Sequence, residues 1–284
     1  MKVSLGMVPT VSSSWKISAV IPTYNRRDRL QRALDSVVRQ SLSVEEIILV
    51  DDGSTDGTAD FVRNKFPSVT VIEQENQGVS AARNVGIQAA TTSWIAFLDS
   101  DDVWLSDKLE KQVNLLKQYS DSRICHTEEK WLYRREPKSV AKPYVKQGGW
   151  IFERCLPVCA ISPSTVLIHK SVFETVGLFD VSLAACEDYD LWLRICSRMP
   201  VVLVEEPLIE KHGGHSDQLS SQWGLDKWRI QALQKLLKEN HLSEEQRSLV
   251  IQQLKQKCSL YAQGLEKHGK GEAAKMYKTI AETF

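Results

Sequence analysis

Short apolar runs alternate with amphipathic stretches through the first hundred residues of the chain. Ile17 to Pro22 (ISAVIP), Glu46 to Val50 (EIILV), Val69 to Ile72 and Trp94 to Leu98 (WIAFL) each predict a strand buried on both faces. Between the first two, RRDRLQRALDSVVRQS sets Leu30, Ala33, Leu34, Val37 and Val38 at helical spacing, one apolar stripe on a charged helix. A second helix runs through Ala59, Val62 and Phe66 and stops at Pro67. The segment NQGVSAARNVGIQAA predicts a helix of small residues that can pack close to a sheet. Strand and helix in units of about thirty residues predict an α/β fold with a mostly parallel sheet and right-handed crossovers.

Beyond Ser106 a helix is expected to about Tyr119, with Leu109, Val113 and Leu116 inward. From Arg123 to Pro163 the pattern is less regular and suits antiparallel ribbons and a short helix. PSTVLIHK predicts a strand, SVFETVG a short helix closed by Gly177, and a helix is expected from about Glu187 with Leu191, Trp192 and Ile195 on its apolar face. Val201 to Val204 predicts a strand followed by a loop, KHGGHSDQLS, and from Trp223 the chain reads as three charged amphipathic helices. This divides the chain into a loose leader (1–14), an α/β domain (15–215) and a C-terminal helical extension (216–284).

Ligands of parallel sheets sit beyond the carboxyl ends of the strands, and three polar clusters fall at that edge: Pro22 to Asn25, Asp51 to Ser54 and Asp99 to Asp102. If the chain stays extended past Leu98, Asp99 and Asp101 point the same way while Ser100 turns aside. Two carboxylates ~5 Å apart at an effective dielectric of ~20 repel by ~3 kcal/mol. A hard divalent cation, a shared proton or a basic neighbour would offset that. No Lys or Arg follows before Lys108, which puts a cation ahead of the alternatives. A plainer reading is an acidic turn that caps the next helix. The acidic pair Glu187 and Asp188 has a plain reading too, because carboxylates are favoured in the first turn of any helix.

Charge and cysteine content narrow the field. The 36 basic and 36 acidic residues cancel, so no overall field argues for a nucleic-acid partner. The six cysteines are scattered, and Cys155 and Cys159 lack a second pair at zinc-site spacing, so all six are expected reduced. No signal-like run opens the chain and none approaches the ~20 apolar residues of a membrane span. The expectation is a cytoplasmic protein, with peripheral contact at the inner face of a membrane left open. The last helices offer a face for a partner, for a homodimer or for a membrane surface, although their mixed Lys and Glu favour solvent.

The motifs AVIPTYNR, VDDGSTDGT, NQGVSAARNVGI, FLDSDD and EDYDLWLR, in that order and at about that spacing, resemble those of the family 2 glycosyltransferases over residues 15 to 215. The resemblance implies the GT-A fold and an inverting transfer from a nucleotide-diphosphate sugar, a UDP-sugar, to a glycan or lipid-linked glycan acceptor. It implies that Pro22, Thr23, Tyr24 and Asn25 line the nucleotide pocket, that Asp52 meets the base, and that Arg29, Arg83 and Ser100 belong to the nucleotide site. Asp99 and Asp101 would hold the ribose and a divalent metal, Mn or Mg, on the diphosphate, with Asp101 ahead of Asp99 as direct ligand. Asp188 would be the catalytic base, and Glu187 and Trp104 would contact substrate or acceptor. A histidine near the diphosphate would come from the KHGGHSDQLS loop. His215 is the metal candidate, and the choice between His212 and His215 stays open because this chain departs from the commonest form there. A non-catalytic nucleotide-sugar-binding protein of the same fold is the alternative.

Overall fold

A computed structural model describes residues 15–133, 136–139, 144–214 and 223–284. The expected leader therefore lies outside the described residues, as do His215 and Asp217. The first half follows the apolar pattern closely: β1 (Ile17–Thr23), α1 (Arg27–Val38), β2 (Glu46–Asp51), α2 (Thr58–Lys65), β3 (Val69–Glu73), α3 (Val79–Ala89) and β4 (Trp94–Phe97). β3, β2, β1 and β4 lie side by side in that order, all parallel. Every residue of β1 and β4 is buried, because helices cover both faces. α3 can lie close to β1 only because residue 86 is glycine, whose added Cβ would collide with Val20.

The second half is mixed rather than parallel. After β5 (Val103–Trp104) and α4 (Lys108–Gln118) come β6 (Ile124–Tyr133), β7 (Glu136–Lys138), α5 (Phe152–Cys155), β8 (Leu167–His169), α6 (Ser171–Val176), α7 (Glu187–Cys196) and β9 (Val202–Gly213). β8 runs antiparallel between β4 and β6, while β9 pairs parallel with β6 and antiparallel with β5. The antiparallel ribbons expected here are thus only part of the pattern. β9 is much longer than the predicted strand and takes in Lys211 to Gly213, which the glycine-rich sequence suggested were loop. Pairing decides it: His212 and Gly213 stand opposite Leu132 and Tyr133 of β6.

The three expected C-terminal helices are α8 (Asp226–Leu236), α9 (Glu244–Lys267) and α10 (Gly271–Thr283). Ser243 and Gln246 form a reciprocal capping box at the start of α9. α8 is tied to α7 by charge. Asp190 takes two hydrogen bonds from Arg194, at 2.9 and 2.7 Å, and a third from Lys235 at 3.0 Å. The apolar faces of α8 to α10 join the core that α7 and the sheet begin. Among the described residues no helix is long and apolar enough to cross a membrane. All six cysteines are free thiols, as expected.

Candidate active site

The loops after β1, β2 and β4 open into one cleft of about 750 Å³. Its lining includes Pro22, Thr23 and Tyr24 at the end of β1, Asp52 after β2, Asp99 to Asp102 after β4, and Glu187 and Asp188 at the start of α7. The carboxyl-edge argument therefore brings the three predicted clusters together, but the local geometry differs from the expectation. Asp99 to Asp102 is not extended. It is a turn closed by the Asp102 amide donating to the Asp99 carbonyl at 3.0 Å. Asp99 and Asp101 reach the same cleft through that turn, not through strand alternation.

The basic neighbour that the local sequence lacks arrives from α3. Arg83, buried, donates to Asp99 Oδ1 at 2.7 Å and to Glu187 Oε1 at 2.6 Å, and its guanidinium lies 5.2 Å from the Phe179 ring. Burial alone would pull the Arg83 pKa down, yet Asp99 and Glu187 hold it above the ordinary arginine value. Burial and the adjacent Asp188 push the Glu187 carboxyl up against the pull of Arg83. One side chain thus ties the acidic turn after β4 to the first turn of α7. Next to it, Asn84 exchanges hydrogen bonds with the Phe179 backbone at 2.8 and 3.0 Å, fixing the segment that leads into α7.

Asp52 accepts from Gln74 Nε2 at 2.7 Å and from the amides of Gln77 and Gly78 at 2.9 and 2.8 Å. It pins the 74–78 loop, and Asn76 to Ser80 become part of the cleft wall. Gly53 (φ 83°) is required beside it, since a Cβ there would sit 3.0 Å from the Asn76 amide. Asp102, which the sequence did not single out, is the buried acid of the turn. It accepts from Ser164 Oγ at 2.7 Å and from the His212 amide at 3.2 Å. Burial, with Asp101 next to it, pushes its carboxyl well up.

Three predicted contacts do not reach the cleft. Asn25 is absent from its lining. It adopts φ 51°, a conformation Asn tolerates, and links two loops: its side-chain Oδ1 accepts from the Thr55 amide and its backbone amide donates to Ser54 Oγ, both at 2.8 Å. Arg29 lies in the first turn of α1, off the lining, and Arg26 takes its place in the wall. Trp104 is buried beneath the site, where its indole donates to the Ser164 carbonyl at 3.0 Å. Residues outside the motifs complete the lining: Cys159, Lys211, His212, Leu225 and Arg229 among them. Leu225 and Arg229 come from the C-terminal extension, so the helices after residue 216 contribute to the cleft wall.

Trp104 has a second partner. Lys108 Nζ lies 4.3 Å from its ring centroid and donates to Gln112 Oε1 at 2.8 Å, wholly buried. Burial pulls the Lys108 pKa from 10.5 down to about 7. The unfolded chain then binds more protons than the folded one between those two values, so this residue makes stability rise with pH across that window, and its effect levels off below about 7, where both states are protonated. Urea unfolding from pH 7 to 9 should show this slope in the wild type and lose it in Lys108→Met. Equal slopes in the two proteins would refute the assignment.

A divalent cation fits the donor set that Asp99, Ser100 and Asp101 present, because carboxylate and hydroxyl oxygens are hard ligands suited to Mg²⁺ or Mn²⁺. Arg83 occupies only one oxygen of Asp99. Among the described residues no three His, Cys, Asp or Glu side chains gather to hold a metal alone, so a cation here would complete its shell with substrate phosphates and water.

Residues 18–177 match the sequence profile described as glycosyl transferase family 2. An uncharacterised glycosyltransferase of Rickettsia felis is 31% identical over 208 residues, 71% of this chain and 34% of that protein. The chain thus spans about a third of that relative's length. WfaP of Escherichia coli, a UDP-Glc:α-D-GlcNAc-diphosphoundecaprenol β-1,3-glucosyltransferase, is 29% identical over 191 residues, 64% of this chain and 70% of that one. Among solved structures, S. aureus TarS 1–349 with UDP-GlcNAc superposes with a TM-score of 0.71 at 18% identity, over 91% of this chain and 79% of that one. The likeness to TarS establishes a shared fold.

Proposed function

The chain belongs to glycosyl transferase family 2, and from that premise we propose that it moves a sugar from a UDP-linked donor to a hydroxyl of a glycan or lipid-linked glycan, inverting the anomeric carbon. The observation that carries this reading is the single cleft in which the loops after β1, β2 and β4 face Asp188. The UDP and UDP-GlcNAc complexes of TarS support a uridine donor. The WfaP acceptor, a sugar on diphosphoundecaprenol, supports a lipid-linked one. A chain working on such an acceptor would meet the membrane at its surface.

In the proposed reaction the acceptor hydroxyl attacks the anomeric carbon from the face opposite the diphosphate. The new carbon–oxygen bond forms as the bond to the phosphate oxygen breaks, and the electron pair leaves with the nucleoside diphosphate. Asp188 accepts the hydroxyl proton. A divalent cation at Asp99 and Asp101 would supply Lewis-acid neutralisation of the departing diphosphate. Arg83 keeps Asp99 and Glu187 in place, and the loop pinned by Asp52 closes the nucleotide side of the cleft.

A donor screen following UDP release, with Mn²⁺ or Mg²⁺ and after EDTA treatment, tests the reading. Release from one UDP-sugar is expected, with a loss of at least about a hundredfold on metal removal. Tight donor binding without release under any condition would point to the non-catalytic alternative, and unchanged release in EDTA would remove the metal from the scheme.

A further inference from the structure

Two cations line the cleft together with Asp188 and come from elements outside the parallel half of the sheet: Arg229 on α8 and Lys211 on β9. Arg229 belongs to a small cluster in which two cations are matched by the single carboxylate of Asp226, whereas Lys211 shares Glu129 with Lys146 and also lies within electrostatic reach of Asp102, Asp99 and Asp188. Arg229 donates to Asp226 Oδ1 at 3.0 Å, and Lys257 approaches the same oxygen at 3.4 Å while donating to the Pro157 carbonyl at 3.0 Å. On the other side Lys211 and Lys146 both donate to Ser162 Oγ, at 3.1 and 3.2 Å, and Lys146 alone is in contact with Glu129, at 3.1 Å.

Both cleft-facing cations have donors to spare. A guanidinium carries five N–H groups and an ammonium three. Arg229 Nε is buried with no hydrogen-bond partner among the described residues, and Lys211 donates to the neutral Ser162 hydroxyl with its ammonium 6.0 Å from the Trp131 ring centroid. A buried donor left unmade costs free energy that an arriving acceptor atom recovers. The acids that share the cleft are committed elsewhere in the proposed reaction. Asp99 holds Arg83, Asp101 faces the diphosphate, and Asp188 needs its lone pairs for a proton.

Building on the glycosyl-transfer reading, we propose that the acceptor carries an anionic group, a phosphate ester or a carboxylate, near the hydroxyl that is glycosylated, and that Arg229 binds it with Lys211 in support. Arg229 is suited to the task, since its planar fork matches phosphate and carboxylate oxygens in pairs. The C-terminal helices then carry acceptor recognition, while the parallel half of the sheet carries the donor.

The test titrates N-acetylglucosamine 1-phosphate, glucuronic acid and neutral N-acetylglucosamine into the full chain, with and without saturating UDP and Mg²⁺. With the donor site filled, one anionic probe is expected to bind about tenfold or more tighter than the neutral sugar. Which one wins separates a phosphate-bearing acceptor from a uronate. Arg229→Gln, which keeps a hydrogen bond to Asp226 within reach, should erase the preference, and Arg229→Lys should restore part of it. Equal affinity for all three sugars in the wild type overturns the proposal whether or not the variants fold, as does a preference that survives Arg229→Gln. UDP release from donor is read separately. An anion preference without release from any donor would sink transfer and leave the anion site standing, whereas release without the preference would do the reverse.

Discussion

Arg83→Met is expected to cost about 3–5 kcal/mol of folding stability, the range for removing one partner of a buried ion pair, and to abolish measurable sugar transfer. The arginine answers two carboxylates, Asp99 and Glu187, that come from separate elements of the cleft, the turn after β4 and the first turn of α7. Methionine fills much of the same volume, so the loss would be electrostatic. Glu187 would remain buried with Asp188 beside it and no cation in contact, and protonation would be its cheapest escape. The hinge between the turn after β4 and the first turn of α7 would then be gone. Arg83→Lys separates charge from geometry. One ammonium can restore a positive charge, but it cannot reach two carboxylates with a rigid fork, so stability should recover in part while transfer stays low. Urea unfolding with UDP-release assays on the three proteins measures both effects. Destabilisation of Arg83→Met below about 1 kcal/mol would mean that the bridge is a surface-like pair of little consequence.

The same bridge marks where sequence reading stops. Asp99 and Glu187 stand out in their motifs, and the rim argument gathers them without any knowledge of Arg83. Their partner is 16 residues from one and 104 from the other, so a search for a basic neighbour along the local chain finds none and turns to a metal. Burial misled in the other direction for Trp104. The resemblance implies a substrate or acceptor contact there, but pairing of β5 with β9 turns Trp104 under the site. The motif around Asn25 points to a nucleotide contact, whereas in the fold its left-handed backbone and its bonds to Ser54 and Thr55 serve loop geometry.

The parallel half of the sheet was legible because each strand is a continuous apolar run separated by a helix of clear period. The mixed half was legible only in part: PSTVLIHK announces β8, but β5 and β7 are two and three residues long, too short to show an alternation, and β5 takes its identity from β9, far along the chain. Lys211 suffered most from this. In EKHGG it reads as the start of a flexible loop, and only the register against β6 reveals a strand that fixes its ammonium in the cleft. Arg229 lay beyond the stretch that the motifs cover, on a helix whose composition suggested a solvated face.

Asp188→Asn should lower turnover by about 100-fold to 10,000-fold, the usual worth of a positioned general base, while donor binding changes no more than a few-fold. Asn is nearly isosteric, and the Asp188 side chain meets the Tyr189 amide through one oxygen at 2.7 Å, a bond that an amide oxygen can keep. The helix start is therefore retained and the proton acceptor is lost. Glu187→Gln is the informative contrast. Glu187 is held by Arg83 and buried, so neutralising it removes half of the bridge, and its effect should appear in stability as much as in rate. A large rate loss with intact stability in Asp188→Asn, against a mixed loss in Glu187→Gln, assigns the proton to Asp188. The opposite split would move the base to Glu187, and comparable turnover by Asp188→Asn and the wild type would leave the acceptor proton to water or to the departing phosphate. Single-turnover measurements with saturating donor make the comparison clean, because product release cannot then hide a slowed chemical step.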